Sequence, residues 1–225
     1  LFNADDSKFL IILKVHFFDF HHHHPQLVFG VYNLKYQEAA PQHFFSAGIH
    51  PNAVTNDFDA QLSWLKEVLQ HPNCVAVGEC GLDGLIDVDE KLQEEVFEEQ
   101  IFLANKVHKP LIIHCVKRYS QLLHYRKQAK VPMVVHGFNK RKTIGDELLM
   151  HDFYLSFGQS VLYNVNLQHF VKNFPVNRLF LETDAADFNI ADLYAKVADL
   201  KGVSTDDLVG AIKENLSSIM ITEPQ

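Results

Sequence analysis

The amino-acid sequence predicts an α/β protein, a (β/α)8 barrel of the TIM type, from three observations. Eight short runs rich in β-branched and aromatic residues recur along the chain, and most are nearly continuous in apolar residues, as strands covered on both faces of a parallel sheet are. Between the later runs the apolar spacing changes to that of a helix. Six of the eight runs close on a histidine or a carboxylate, and in such a barrel the C-terminal strand ends share one face.

The first run covers residues 13–20 (LKVHFFDF), the second 27–34 (LVFGVYNL) and the third 44–50 (FFSAGIH). Phe58, Leu62, Leu65 and Leu69 then line a helical face. The fourth run is 74–80 (CVAVGEC), followed by a second helical face at Leu92, Val96, Leu103 and Val107. Runs at 110–115 (PLIIHC), 132–138 (PMVVHGF), 153–158 (FYLSFG) and 178–184 (RLFLETD) complete the set, and Leu208, Ile212, Leu216 and Ile219 line a third helical face. Only residues 21–26 separate the first pair of runs and 35–43 the second. A parallel crossover with its helix needs about a dozen residues or more, so the first two crossovers are expected to be shortened or irregular. No low-complexity tract, Gly/Ser linker or internal repeat divides the chain, and residues 1–225 are expected to form a single domain.

Composition bounds the function. At 225 residues and 47% hydrophobic, the chain can bury a large core. Its three cysteines, Cys74, Cys80 and Cys115, form no CxxC pair, which speaks against a disulfide framework or a cysteine zinc knuckle and for a reducing compartment. The apolar stretch FLIILKVHFF at 9–18 contains Lys14 and His16, is too short to span a bilayer, and lacks the flanks of a secretory signal. A cytoplasmic protein without a membrane partner is expected. Short early connections and few Gly-rich loops favour a monomer. A net charge of −8 argues against nucleic acid on simple electrostatics, yet a metal centre supplies positive charge that this sum omits.

Histidine is the informative count, at 14. Four stand in FDFHHHHPQ, residues 18–26, a run that is internal and too short for a purification tag. The strand ends read DFHHHH, GIHP, GECGLD, IHC, VHGF and ETD. Imidazoles and carboxylates converging on one mouth are metal-site chemistry: neutral imidazole suits Zn²⁺, Fe²⁺, Mn²⁺ or Ni²⁺, and carboxylates bridge ions or hold harder ones. Successive side chains of an extended segment point to opposite faces, so the inward pair is His21 with His23 or His22 with His24. Taken singly, His114 or His136 at the end of an apolar run would read as a buried, hydrogen-bonded histidine. It is their register with Glu79 and Asp184 that points to ligation. His43, His71, His108, His124, His151 and His169 are assigned no role.

The ordered motifs D19-F20-H21-H22-H23, G48-I49-H50-P51, V77-G78-E79-C80-G81-L82-D83, I113-H114, H136-G137-F138, L181-E182-T183-D184 and E214-N215 resemble the signatures of the TatD family of metal-dependent deoxyribonucleases, within the amidohydrolase-like barrels. The resemblance runs from about residue 18 to the C-terminus. It implies two divalent metal ions (Zn, Mn or Mg). The D-x-H-x-H pattern selects His21 and His23 and leaves His22 and His24 as bystanders. Glu79 would bridge the ions, with His21, His23 and Asp184 completing one shell and His114 and His136 the other. His50 falls where the family has a histidine near the substrate phosphate, and Asp19 would orient a ligand histidine. The chain departs from the family in its short first segment, in H114-C115-V116-K117-R118 where H-x-R is common, and in Ala185 and Ala186 after Asp184 where a proline and an aromatic are common. These departures bear on the substrate pocket rather than on the metal shell.

The implied activity is metal-dependent hydrolysis of a phosphodiester in DNA or RNA, most simply single-stranded DNA, by a two-metal-activated water. Asp184 is the expected proton acceptor and Glu79 the second catalytic carboxylate. Lys117, Arg118 and Lys140, with Arg141 and Lys142 beside them, would form a basic rim holding backbone phosphates, although basic residues at helix starts are commonly just solvated. Phe138 and Tyr163 are candidates to stack on a base, and Phe138 fits a core position equally well. Glu182 is the second choice for the role of Asp184, and Asp83 is expected to cap a loop or helix start. Two other functions compete. An amide or ester hydrolase could use the same barrel, but Glu79 stands where many amidase relatives carry a carboxylated lysine. A non-catalytic metal-stabilised binding barrel would not need all six metal-shell positions.

Overall fold

The structure, a computed structural model, describes residues 17–219. Eight parallel strands form one sheet in the order of the sequence: β1 (Asp19–His22), β2 (Gly30–Leu34), β3 (Phe45–Ala47), β4 (Cys74–Asp83), β5 (Leu111–Val116), β6 (Met133–Val135), β7 (Tyr154–Phe157) and β8 (Leu179–Leu181). Just past β8, His23 N–H donates to the Asp184 carbonyl (3.0 Å) and Asp184 N–H to the His21 carbonyl (2.9 Å), so the sheet curls back onto β1. Each of the eight expected runs contains a strand; in the first, residues 13–16 lie outside the described residues, Phe17 and Phe18 precede the strand, and β1 continues past the expected end to His22.

Seven helices follow the later strands among the described residues: α1 (Asp59–Val68), α2 (Glu90–Val107), α3 (Tyr119–Arg126), α4 (Lys142–Met150), α5 (Val165–Asn173), α6 (Ile190–Lys201) and α7 (Thr205–Ile219). Their ends follow ordinary chemistry. Asp89 caps α2 by accepting the Leu92 N–H, Asn164 caps α5 through Leu167 N–H, and α6 stops at Gly202 in the left-handed region. No helix joins β1 to β2 or β2 to β3, as the spacing of the runs requires. Among the described residues no helix is long and apolar enough to cross a membrane.

Apolar residues on the strands and the inner helix faces make one continuous core. Phe20 of β1 stacks on Phe180 of β8 with ring centroids 4.2 Å apart, packing the seam of the sheet. Phe138 is buried against Phe157 and Phe170, so of the two stacking candidates it is a core residue.

The strand that matters most for the site is β4. Its pairing with β5 slips between Val77 and Cys80, the signature of a bulge, which re-aims a side chain. Glycines flank Glu79 there. Gly78 and Gly81 have φ of +152° and +140°, and a Cβ on Gly81 would lie 2.1 Å from the His114 carbonyl oxygen. Only glycine permits both that backbone and that approach, and the result is that His114 of β5 sits beside Glu79.

Candidate metal centre

Glu79 is the hub. Its Oε1 lies 2.8 Å from His136 Nε2, 3.0 Å from His114 Nδ1 and 3.3 Å from His50 Nε2. Its Oε2 lies 3.5 Å from His21 Nε2 and 3.6 Å from His23 Nε2. The two oxygens of one buried carboxylate thus face two different sets of imidazoles. Burial works to raise the Glu79 carboxyl, but the charge of His136 and hydrogen bonds from His114 and His136 hold it far below the ordinary range.

Asp184 completes the cluster from the end of β8. Its Oδ1 is 3.3 Å from His23 Nε2 and 3.8 Å from His21 Nε2. The carboxylate is 43% exposed, so it alone of the two central acids reaches solvent freely. Burial would raise Asp184, but the His23 hydrogen bond and the charges of His136 and His21 keep it low. His23 is pushed up to about 9 by hydrogen bonds with Asp184 and Glu79, against the opposing effect of burial. In His136 burial favours the neutral ring, yet the charge of Glu79 prevails and raises it well above its usual value.

Strand alternation decides between the two histidine pairs. His21 and His23 face Glu79, whereas His22 turns the other way, its Nδ1 accepting the His24 N–H (3.3 Å), and the His24 ring reaches the Ala186 carbonyl (3.3 Å). Burial, with the neighbouring imidazoles, pushes His22 down to about 3, so it is a neutral ring packed beside Tyr32. Three sets of donor atoms lie close enough to share an ion: His21, His23 and Glu79; His21, His136 and Asp184; and His50, Glu79 and His114. The six expected metal-shell residues therefore stand together. His50, expected only at the substrate, stands among them.

Several residues that sequence reasoning passed over hold this cluster in place. Asn33 of β2 donates its amide to Glu79 Oε2 (3.1 Å), accepts the Glu79 backbone N–H (3.1 Å) and lies 3.4 Å from His23 Nε2. Asp83 does cap a loop, through Leu85 N–H (2.8 Å), and its other oxygen grips His114 Nε2 at 2.9 Å. Glu182 is not a substitute for Asp184: fully buried, it accepts the Gly137 N–H (2.6 Å) and faces His136 Nδ1 (3.4 Å) from behind. Among the described residues the Asp19 carboxylate has no hydrogen bond to a histidine ring. It accepts the Thr183 N–H (2.9 Å) and hydroxyl (2.5 Å), which ties the residue before Asp184 to β1. Burial pushes Asp19 up to about 7, although the Thr183 bonds oppose the shift.

The expected basic rim divides. Lys117 is exposed just past β5, and Lys140 is half-buried ahead of α4. Arg118 is buried and paired with Glu90 (3.0 Å) and Glu94 of α2. Its charge is consumed by those carboxylates, because the loop after β5 turns the side chain toward α2 and away from the mouth.

Comparison with known proteins agrees with this architecture. The family described as TatD related DNase matches residues 30–220. An uncharacterized metal-dependent hydrolase, YabD, of Bacillus subtilis is 34% identical over 147 residues, which cover 63% of this chain and 58% of that protein. The 3′-5′ ssDNA/RNA exonuclease TatD of Musicola paradisiaca is 30% identical over 171 residues, 72% of this chain and 65% of its own. The chain thus spans somewhat under two thirds of the length of these relatives. The crystal structure of the TatD homolog YjjV from Escherichia coli superposes with a TM-score of 0.78 at 20% identity, covering 92% of this chain and 98% of that one, which supports the barrel fold. With the match extending from β2 through α7, the chain belongs to the TatD related DNase family.

Proposed function

We propose that this protein is a metal-dependent hydrolase that cleaves phosphodiester bonds in single-stranded nucleic acid, with DNA the first substrate to test. The observation that carries the reading is the Glu79 carboxylate, whose two oxygens address separate groups of imidazoles. The 3′-5′ exonuclease names of relatives such as the Musicola protein supply the substrate class.

The residues fit divalent cations. Both ring nitrogens of His21 are buried without a hydrogen-bond partner, an arrangement that costs free energy unless something ligates them. The donors are all imidazole nitrogen and carboxylate oxygen, suited to Zn²⁺ or Mn²⁺. His21, His23 and Asp184 would hold one ion on the Oε2 side of Glu79, and His114 and His136 a second on the Oε1 side, with His50 next to it. Bound there, such ions would acidify a water and neutralise charge on the phosphate oxygens.

The chain's own groups carry the rest. Asp184, kept ionised by His23, accepts the proton of the attacking water and passes it to solvent from its exposed edge. Glu79 holds the imidazoles at their spacing, while Asp83, Glu182 and Asn33 fix the ring orientations. His50 and the lysines 117 and 140 steady the phosphates. The whole of residues 1–225 is proposed to act as one domain.

The test is cleavage of an end-labelled single-stranded oligonucleotide by protein loaded with Mn²⁺, Mg²⁺ or Zn²⁺, beside a panel of cyclic amides and esters. Asp184→Asn is expected to keep the wild-type circular dichroism spectrum and lose at least about a hundredfold in rate, within the range for a general base. Turnover of amides or esters instead of the oligonucleotide, or full cleavage by Asp184→Asn, would overturn the reading.

A further inference from the structure

Two pockets open on either side of the carboxylate–imidazole cluster, and the mechanism above uses neither. One, about 150 Å³, is bounded by Gly137, Asn139, Gln159, Tyr163, Glu182 and Asp184. The other, about 180 Å³, is bounded by Asn33, Tyr36, Ile49, His50, Gln61 and Glu79. Asp184 forms part of the first wall and Glu79 part of the second, so the reacting centre lies between them.

The pockets share a chemical character. Each carries an aromatic ring open to solvent: Tyr163 is 68% exposed and Tyr36 41% exposed. The Tyr36 ring is braced edge-on by Trp64, with centroids 5.2 Å apart, and the Tyr163 hydroxyl reaches Ser160 Oγ at 3.4 Å. Each ring stands beside the reacting carboxylates, Tyr163 in the pocket that holds Asp184 and Tyr36 in the pocket that holds Glu79. A ligand that uses both rings carries two flat π-systems, one on each side of the reacting centre. An aliphatic chain could cover a tyrosine but would gain no stacking from its π-face.

We propose that these pockets are nucleobase subsites for the two nucleotides that flank the scissile phosphodiester, one base stacking on Tyr163 and the other on Tyr36. The inference rests on the functional reading above and sharpens it: the substrate is a phosphodiester with a base on each side, held by its rings as well as by its phosphate. Stacking on tyrosine tolerates every base, since each has a π-face, so affinity depends on the presence of a base more than on its identity.

The test pairs protein variants with substrates lacking one base. Wild type, Tyr163→Ala, Tyr36→Ala and the two Tyr→Phe variants are assayed on oligonucleotides that are intact or abasic at one of the two positions flanking the cleaved bond. Each alanine variant is expected to raise KM at least about fivefold on the intact strand, the low end for loss of one stacked base, with kcat within about twofold, and phenylalanine is expected to restore KM. Removing the base on one side should abolish the penalty of one alanine variant and leave that of the other. If wild type cleaves the strand and both alanine variants keep its KM, or if their penalties persist on every abasic strand, the subsites are wrong while the nuclease reading stands. If wild type cleaves no oligonucleotide, the nuclease reading fails and the subsites fail with it.

Discussion

Asn33 shows how much of this site depends on a neutral residue. Its side-chain amide binds both the backbone N–H and the carboxylate of Glu79, so it fixes the hub without adding charge. Asn33→Leu, close in size, is expected to weaken metal binding about 10- to 100-fold, the usual effect of losing a partner that orients a ligand. Competition with a chromophoric chelator measures this, and unchanged affinity would leave Asn33 a bystander. The imidazoles give a second prediction. With His23 raised to about 9 and His136 raised as well, the metal-free cluster carries protons at neutral pH, and a protonated ring cannot ligate. Loading must therefore expel protons, so affinity falls as pH drops below the raised values and climbs as pH approaches 9. Calorimetric titration at pH 7 in two buffers of different ionisation enthalpy should show net release of protons, and affinity independent of pH would contradict this account. The positions of His21, His23, Glu79, His114, His136 and Asp184 were legible because each ends a strand-like run, where the barrel gathers side chains. Asn33, Asp83 and Glu182 were not legible as positioning residues. An asparagine within a strand gives no periodic signal, and a carboxylate near a ligand looks the same whether it binds an ion or a ring nitrogen.

Among the elements, β4 places the chemistry more than any helix does. The glycines on either side of Glu79 let β4 and β5 close to a distance that no side chain would permit, with Ile112 O 2.5 Å from a Cβ on Gly78 and His114 O 2.1 Å from one on Gly81. Gly81→Ala is accordingly expected to destabilise the protein by more than about 1 kcal/mol from its positive φ alone, with the clash against the His114 carbonyl adding to that. Urea unfolding of the metal-free protein would show the loss, and a midpoint equal to wild type would mean that β5 can move aside freely. The sequence showed the strands as continuous apolar runs and the helices as faces of 3.6-residue period, and it showed that two crossovers were too short for helices. It could not show the slip in register between Val77 and Cys80, because a bulge changes pairing without changing composition. Nor could it show that Arg118 turns toward α2, since the choice between Glu90 and the mouth is made by the loop after β5.

Taken whole, the molecule carries a net charge of −8 and is proposed to act on a polyanion, so its long-range field opposes its substrate. At physiological salt the screening length is about 8 Å, which confines that repulsion and leaves the local charge at the mouth to decide binding. Arg118 contributes nothing there, being neutralised by Glu90 and Glu94, and this leaves Lys117 and Lys140 as the first phosphate contacts to test, with the exposed Arg141 and Lys142 beside them. Each phosphate neutralised on a single strand contributes about −0.7 to the slope of log affinity against log salt. Two contacts predict a slope of about −1.4 for wild type, and Lys140→Ala should halve it to about −0.7. Arg118→Gln should leave the slope alone while weakening the α2 contact. The measurement is KM for a short oligonucleotide between about 50 and 200 mM salt at saturating metal, the range over which counterion release is read. A wild-type slope steeper than about −3 would imply four or more phosphate contacts, more than Lys117 and Lys140 supply, and would overturn the two-contact account.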